Sequence, residues 1–253
     1  MNTTKDDQLI LKRLAELSLS SFHKGLPVYS DFLNPNEISL FYSMKKDLPN
    51  INYQLWGGYQ LAERKVVCFY DEDSFQNPSY DISCIEIKPL NDKFSDALTH
   101  RDFLGAILNL GIDRSKIGDI ITKENTGYVF CKKNITEFII DQLYKIKHTH
   151  IMCQESDLKE TDITPNFKEI VGTISSVRLD AVLSIAFNTS RSSLTTLIKS
   201  GKVYVNSKLV ESNSYLLKED DIVSVRGLGK FVYKGITNQS RKGRYYTTIL
   251  KYM

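Results

Sequence analysis

Arg191 directly follows Ser190 in the string Asn188-Thr189-Ser190-Arg191-Ser192. Ser190 is a natural cap for the run that follows, so Arg191 falls on the first turn of a helix. The helix dipole disfavours a cation there by roughly 0.3–1 kcal/mol. An arginine in that place makes sense when an anion also docks. Free backbone N–H groups and a guanidinium then converge on one phosphate. Lys199, Lys202, Lys208, Arg226 and Lys230 would extend such a site along the helix and the strands after it. Other chemical constellations are thinner. His148 and His150 share one face of a strand, but Cys153 falls on the opposite face, so no metal is expected. Asp71-Glu72-Asp73 reads as a solvated turn. Cys68, Cys84 and Cys131 sit in strand patterns and are expected to be buried. No nucleophile–base pair, no catalytic residue and no cofactor is indicated.

The elements that must position these residues follow from periodicity. Residues 5–24 read as an amphipathic helix, with Leu9, Leu11, Leu14, Leu17 and Leu19 near helical spacing. After the turn Leu33-Asn34-Pro35-Asn36 a second helix runs to about Lys46, capped by Asn34 with Pro35 in its first position. Strands are expected at 52–56 and 65–70. Residues 82–156 then alternate as strand 82–89, helix 96–110, strand 116–122, turn 124–127, strand 127–131, helix 135–144 capped by Asn134, and strand 147–154. That βαββαβ order is the ferredoxin-like unit used by many RNA-binding domains. The strand Thr126-Gly127-Tyr128-Val129-Phe130-Cys131 is similar to their aromatic stacking strand, which makes Tyr128 a candidate contact. Aromatics on strands also serve as core.

Charge divides the chain. The 253 residues are 42% hydrophobic and 25% charged, an ordinary globular balance, with a net charge of +3. Residues 168–253 hold fourteen Lys and Arg against six Asp and Glu, or +8, and residues 1–167 carry −5. A basic C-terminal unit on an acidic body suits a module that binds a polyanion. The apolar runs are far shorter than the roughly 20 residues of a membrane span. Met1 to Arg13 lacks the apolar stretch of a signal peptide, and four dispersed cysteines fit a reducing compartment. The expected location is the cytoplasm, with no membrane contact.

The C-terminal third then becomes recognisable. Arg178-Leu179-Asp180 with Leu183, Ser190-Arg191-Ser192, the run Leu197 to Asn206 and the run Asp221 to Gly227 keep several fixed spacings. Together they resemble the S-four-type, or alpha-L, RNA-binding domain. The resemblance implies a helix–loop–helix on a small sheet, gripping structured RNA through Arg178, Ser190, Arg191, Ser192, Lys199, Lys202, Asn206 and Lys208. Asn206 fits a turn equally well, and Asp180 fits a role in orienting Arg178. Beside such a domain, Arg241, Lys242 and Arg244 read as further phosphate contacts, although a solvated hairpin tip has the same composition.

Upstream, His100 to Ala106 and Leu110 to Ile120 look like the YlmH family. Arg101, Arg114 and Lys116 in these strings are secondary RNA-binding candidates. Members of that family have this order of domains, are linked to ribosome-associated quality control on stalled large subunits, and lie in a cell-division gene neighbourhood. The resemblance implies ribosomal RNA and tRNA on the large subunit as partners, with support for C-terminal tailing of a stalled chain and a possible quality-control protein partner.

The expected class is α+β. It comprises an N-terminal α/β domain (1–78), a ferredoxin-like domain (79–157), a linker (158–174) and the basic RNA-binding domain with its hairpin (175–253). Enzymes bearing the same C-terminal domain fit poorly. The one Arg-Leu-Asp string, Arg178–Asp180, already belongs to that domain, which leaves none for a pseudouridine synthase. The ATP-binding signatures of a tyrosyl-tRNA synthetase are absent, and Gly227-Leu228-Gly229 lacks the third glycine and the helix of a nucleotide loop. Two alternatives stay open: an RNA-modifying enzyme with its site in residues 1–95, and a scaffold that recruits a protein to RNA.

Overall fold

The computed structural model describes residues 5–71, 79–156, 167–240 and 243–252. The chain folds as two compact units, residues 1–164 and 165–253. The sequence-based boundary at 78/79 therefore falls inside one unit, between its two sheets.

The first sheet is built from α1 (Lys5–Lys24), β1 (Val28–Leu33), α2 (Pro35–Met44), β2 (Asn52–Trp56) and β3 (Lys65–Tyr70). Its strand order is β1-β3-β2, all antiparallel. α2 starts as expected: Asn34 Oδ1 accepts from the Asn36 and Glu37 amides, and Glu37 returns a carboxylate to the Asn34 N–H at 2.6 Å. Such a capping box satisfies amides that the helix itself leaves open. The leucine stripe of α1 is narrower than expected. Leu14 and Leu17 are buried beside Ser18 and Ser21, whereas Leu9 (66% exposed) and Leu19 face outward. Strand β1 was not expected. Its alternation is broken by a bulge between Tyr29 and Phe32 and by a buried Ser30, whose hydroxyl accepts from the Val67 amide at 2.9 Å.

The second sheet holds β4 (Ile82–Pro89), β5 (Ile117–Lys123), β6 (Thr126–Lys132), β7 (Lys145–Ile146) and β8 (Thr149–Glu155), in the order β5-β6-β4-β8-β7. Every neighbouring pair is antiparallel. With α3 (His100–Leu108) and α4 (Thr136–Gln142) as connections, this is the expected βαββαβ order plus the short β7. One face buries Ile85, Ile87 and Val129 against Phe103, Ile107 and Ile139 of the two helices. Helix α3 begins at His100 rather than 96. Thr99 and Asp102 form its capping box, and Asp96 instead accepts from the His148 amide at 3.0 Å. Asn134 does not cap α4; residues 133–135 form a 3-10 turn and Ile135 takes the cap position without a side-chain bond. The turn at Glu124-Asn125 is as expected, with both residues at positive φ between paired Lys123 and Thr126.

The second unit is one six-stranded sheet carrying two helices. It contains β9 (Phe167–Ile174), α5 (Leu179–Phe187), α6 (Arg191–Lys199), β10 (Val203–Val205), β11 (Lys208–Leu209), β12 (Ile222–Val225), β13 (Gly229–Gln239) and β14 (Tyr245–Tyr252). The strand order is β11-β10-β12-β13-β14-β9. Residues 167–174 thus form a strand, not the end of a linker, pairing with β14 along its whole length. As an edge strand with Lys168, Glu169 and an exposed Val171, it lacks the apolar alternation that sequence reading needs. Leu179, Val182, Leu183 and Ala186 of α5 form the expected stripe, all buried with Leu194 and Ile198 of α6 against Val203, Val223, Phe231 and Ile249.

The hairpin β10–β11 turns on Asn206 and Ser207, both at positive φ. Asn206 Nδ2 donates to Asp221 at 2.8 Å and its Oδ1 accepts from the Ile222 amide at 2.9 Å. Asp221 is buried and also accepts from the Lys218 amide at 2.7 Å. Asn206→Ala removes both bonds and sets an alanine in the left-handed region, so a loss of about 2–3 kcal/mol is expected in urea unfolding. A change below about 0.5 kcal/mol would mean the turn does not depend on this side chain.

Candidate nucleic-acid interface

The cations of the second unit are set by the helix pair and by the sheet end beside it. Arg178 occupies the position before the first turn of α5 without a side-chain cap bond, and its guanidinium makes a two-point contact with the buried Asp180 carboxylate, with both distances 3.1 Å. Asp180 therefore orients Arg178, leaving the arginine side chain 43% exposed. The chain leaves α5 through Asn188 in a left-handed conformation. It enters α6 through Ser190, whose Oγ accepts from the Ser193 amide at 3.3 Å. Ser190 Oγ also lies 3.0 Å from Ser192 Oγ and 2.9 Å from Ser193 Oγ, so the three hydroxyls form one cluster. Arg191 is exposed, and the first turn of α6 holds no acidic residue. The cation that the helix dipole disfavours thus has nothing negative in its own turn.

Lys199, Lys202 and Arg226 come together at the other end of α6. The Arg226 amide donates to the Lys202 carbonyl at 2.9 Å, and the Lys202 amide donates to the Leu197 carbonyl at 3.1 Å. All three side chains are exposed. Arg226 lies over the ring of buried Tyr204, 5.5 Å from its centroid, and Lys230 lies 4.3 Å from the centroid of Tyr252. These two tyrosines hold the cations by cation–π contact. In the sequence neither tyrosine is distinguishable from an ordinary aromatic, since each cation that it holds is distant along the chain. Lys208 is exposed at the hairpin, opposite Val205. Asn206 belongs to the turn, as its two hydrogen bonds show. Arg244 donates to the Thr173 carbonyl at 2.8 Å and so also ties the hairpin to β9. Arg241 and Lys242 lie outside the described residues, as do Glu72 and Asp73 of the acidic run.

The secondary candidates in the first unit separate sharply. Arg101 is exposed on α3. Lys116 is paired with Asp31 at 2.7 Å. Arg114 is turned inward, donating to the Ile117 and Gly118 carbonyls; burial, then the neighbouring Arg64, lowers its pKa to about 10. It serves the fold rather than a ligand. Tyr128 is half-buried, its hydroxyl 3.3 Å from Glu86.

The aromatic sheet face on which Tyr128 lies is occupied by the chain itself. Phe130, 3% exposed, is stacked under Tyr59 with centroids 5.0 Å apart and planes at 24°. Gly58 adopts φ +98° there, and a Cβ on it would sit 2.3 Å from Phe130. Tyr59 in turn donates to Asp119 at 2.8 Å, and Asp119 accepts from the Glu63 and Arg64 amides at 2.7 and 3.0 Å. Arg64 then donates to the Ile117 and Phe32 carbonyls, both at 2.9 Å, joining β1 to β5. An aromatic strand that stacks bases needs an open face, and here Phe130 is core.

Nothing in these contacts assembles a nucleophile with a base. Burial raises the thiols of Cys68 and Cys131 to about 11 and those of Cys84 and Cys153 to about 12, which makes them poor nucleophiles. Among the described residues no group of three His, Cys, Asp or Glu could hold a metal ion. A groove of about 500 Å³ in residues 1–95 and their neighbours is lined by Leu9, Leu14, Leu17 and Phe32 with the Lys116–Asp31 pair, and has an apolar floor. Among the described residues no helix is long and apolar enough to cross a membrane.

Comparison with known proteins agrees with this layout. Residues 177–223 match the S4 domain, and residues 76–160 match the model described as "Putative RNA-binding domain in YlmH". The ribosome-associated protein quality control protein P2 of Bacillus subtilis (strain 168) is 31% identical over 223 residues, covering 87% of this chain and 85% of that protein. The chain belongs to the YlmH family. A solved YlmH-family structure, the cell division protein ylmH from Streptococcus pneumoniae, is similar with a TM-score of 0.50 at 25% identity. That match covers 62% of this chain and 94% of the solved one. The S4 segment of this YlmH-family chain contains Arg178, Ser190, Arg191, Ser192, Lys199, Lys202, Asn206 and Lys208, while Arg226 and Lys230 follow it closely.

Proposed function

We propose that this chain is an RNA-binding translation factor that acts on the large ribosomal subunit in the cytoplasm. It binds ribosomal RNA and tRNA where a stalled peptidyl-tRNA obstructs the subunit, and supports C-terminal tailing of the stuck chain. It works by binding and not by catalysis, with a quality-control protein as a further partner. The observation that carries this reading is the exposed Arg191 on an α6 first turn free of acids, with Lys199, Lys202 and Arg226 gathered at the far end of the same helix. The name of the Bacillus relative supports the ribosomal setting.

Arg191→Ala tests the site because its two effects have opposite signs. RNA affinity falls by about 1–3 kcal/mol, the range for a charge-assisted contact. Stability is unchanged or rises by roughly 0.3–1 kcal/mol, because an unfavourable cation leaves the helix N-terminus. Anisotropy titration against a large-subunit RNA transcript, beside thermal unfolding, reads both. Unchanged affinity removes Arg191 from the interface.

A further inference from the structure

We infer that the helical face of the first unit holds a second RNA contact, a pocket that takes a base from a single-stranded segment. This rests on the RNA-binding reading above and assigns it a separate place in the chain. Tyr59 covers Phe130 on the sheet face, so base stacking there is blocked. On the opposite side, α3 and residues 142–147 line an open pocket of about 420 Å³, within the usual range for sites of small ligands. Its walls include Arg101, Gly105, Asn109, Gln142, Tyr144 and Lys145.

Three features fit a nucleotide. Tyr144 is 70% exposed, against 41% for Tyr246 and 36% for Tyr215, and an open ring of this kind is a stacking platform. Its backbone is fixed by the Ile151 amide, which donates to the Tyr144 carbonyl at 3.0 Å. Arg101 and Lys145 are exposed on the same pocket and supply phosphate contacts. The nearby acid does not cancel them. Asp102 is already engaged by Lys147 at 2.7 Å and by the Thr99 hydroxyl and amide at 2.7 and 2.8 Å. Gly105 opens the floor: a Cβ built there meets nothing within 4 Å. The amides of Asn109 and Gln142 offer donors and acceptors to a base edge.

A 4-thiouridine-containing oligouridylate of about 12 nucleotides, photo-crosslinked to the full chain, tests this directly. The expected crosslinked peptide contains Tyr144. Tyr144→Ala weakens binding of this probe about tenfold, while Tyr144→Phe, which keeps the ring, stays within about twofold. Gly105→Glu, which introduces an anion at a position where an added Cβ meets nothing within 4 Å, weakens it at least as much as Tyr144→Ala. Both positions are open, so the melting temperature of each variant should stay near that of the parent. Crosslinks confined to residues 178–230 with unchanged affinities in all three variants would overturn the pocket and leave the S4 reading intact. Absence of binding to both this probe and structured ribosomal RNA would overturn both.

Discussion

Asp119→Ala is expected to destabilise the first unit by about 2–4 kcal/mol. One carboxylate there accepts from the Tyr59 hydroxyl and from two consecutive amides, Glu63 and Arg64. Removing it takes this shared acceptor from all three donors, at about 1–3 kcal/mol for a donor that stays both unsatisfied and kept from water. It also removes the charge that opposes the burial of Lys65 and, after Glu37, that of Arg64, both of which burial pushes toward the neutral form. The Tyr59 loop would then release Phe130, exposing core. Asp113→Ala is the control, because the exposed Asp113 side chain makes no capping bond; its effect should stay within about 0.5 kcal/mol. Urea unfolding followed by tyrosine fluorescence measures both. Equal midpoints for the two variants would show that Asp119 does not join the sheets.

The second large effect is on RNA affinity. Arg191, Lys199, Lys202, Lys208 and Arg226 are all exposed in the second unit. If each neutralises one phosphate, log Kobs against log salt has a slope of about −3.5 to −4.5. That slope corresponds to a loss of roughly 100- to 500-fold in affinity between about 50 and 200 mM salt. Glutamate substitutions at Lys202 and Arg226, which meet through a backbone hydrogen bond, should flatten the slope by nearly 2 together. A slope near zero for the parent chain would mean that the basic C-terminal unit is not the RNA interface.

Local signals were read well from the sequence. The Asn34-Pro35 start of α2, the Ser190 cap of α6 and the apolar stripe of α5 each depend on residues within two turns of one another, and all three form. The S4 spacing was legible for the same reason, since it lies in a few short strings. What failed depended on distant partners or on the lack of a clear period. β1 is broken by a bulge and by buried Ser30, and β9 is an edge strand that keeps its charges. Apolar spacing extends α3 back to 96 and cap preference sets Asn134 before α4, but Asp96 accepts from His148 and Thr149 instead and Asn134 lies within a 3-10 turn. The fate of Phe130 was hidden for a sharper reason. Its cover, Tyr59, is held by an aspartate 60 residues away, and no local pattern announces that contact. Arg114 misled similarly: a cation in a polar string reads as surface until the carbonyls that surround it are known.

Ribosomal association is most directly tested by sedimentation of the full chain with intact ribosomes, separated subunits and free tRNA across a salt series. The expected result is salt-sensitive co-migration with large subunits, strongest when peptidyl-tRNA is trapped on them. Binding to naked RNA with none to the subunits would contradict it, and would move the search for function to an RNA-modifying site in residues 1–95.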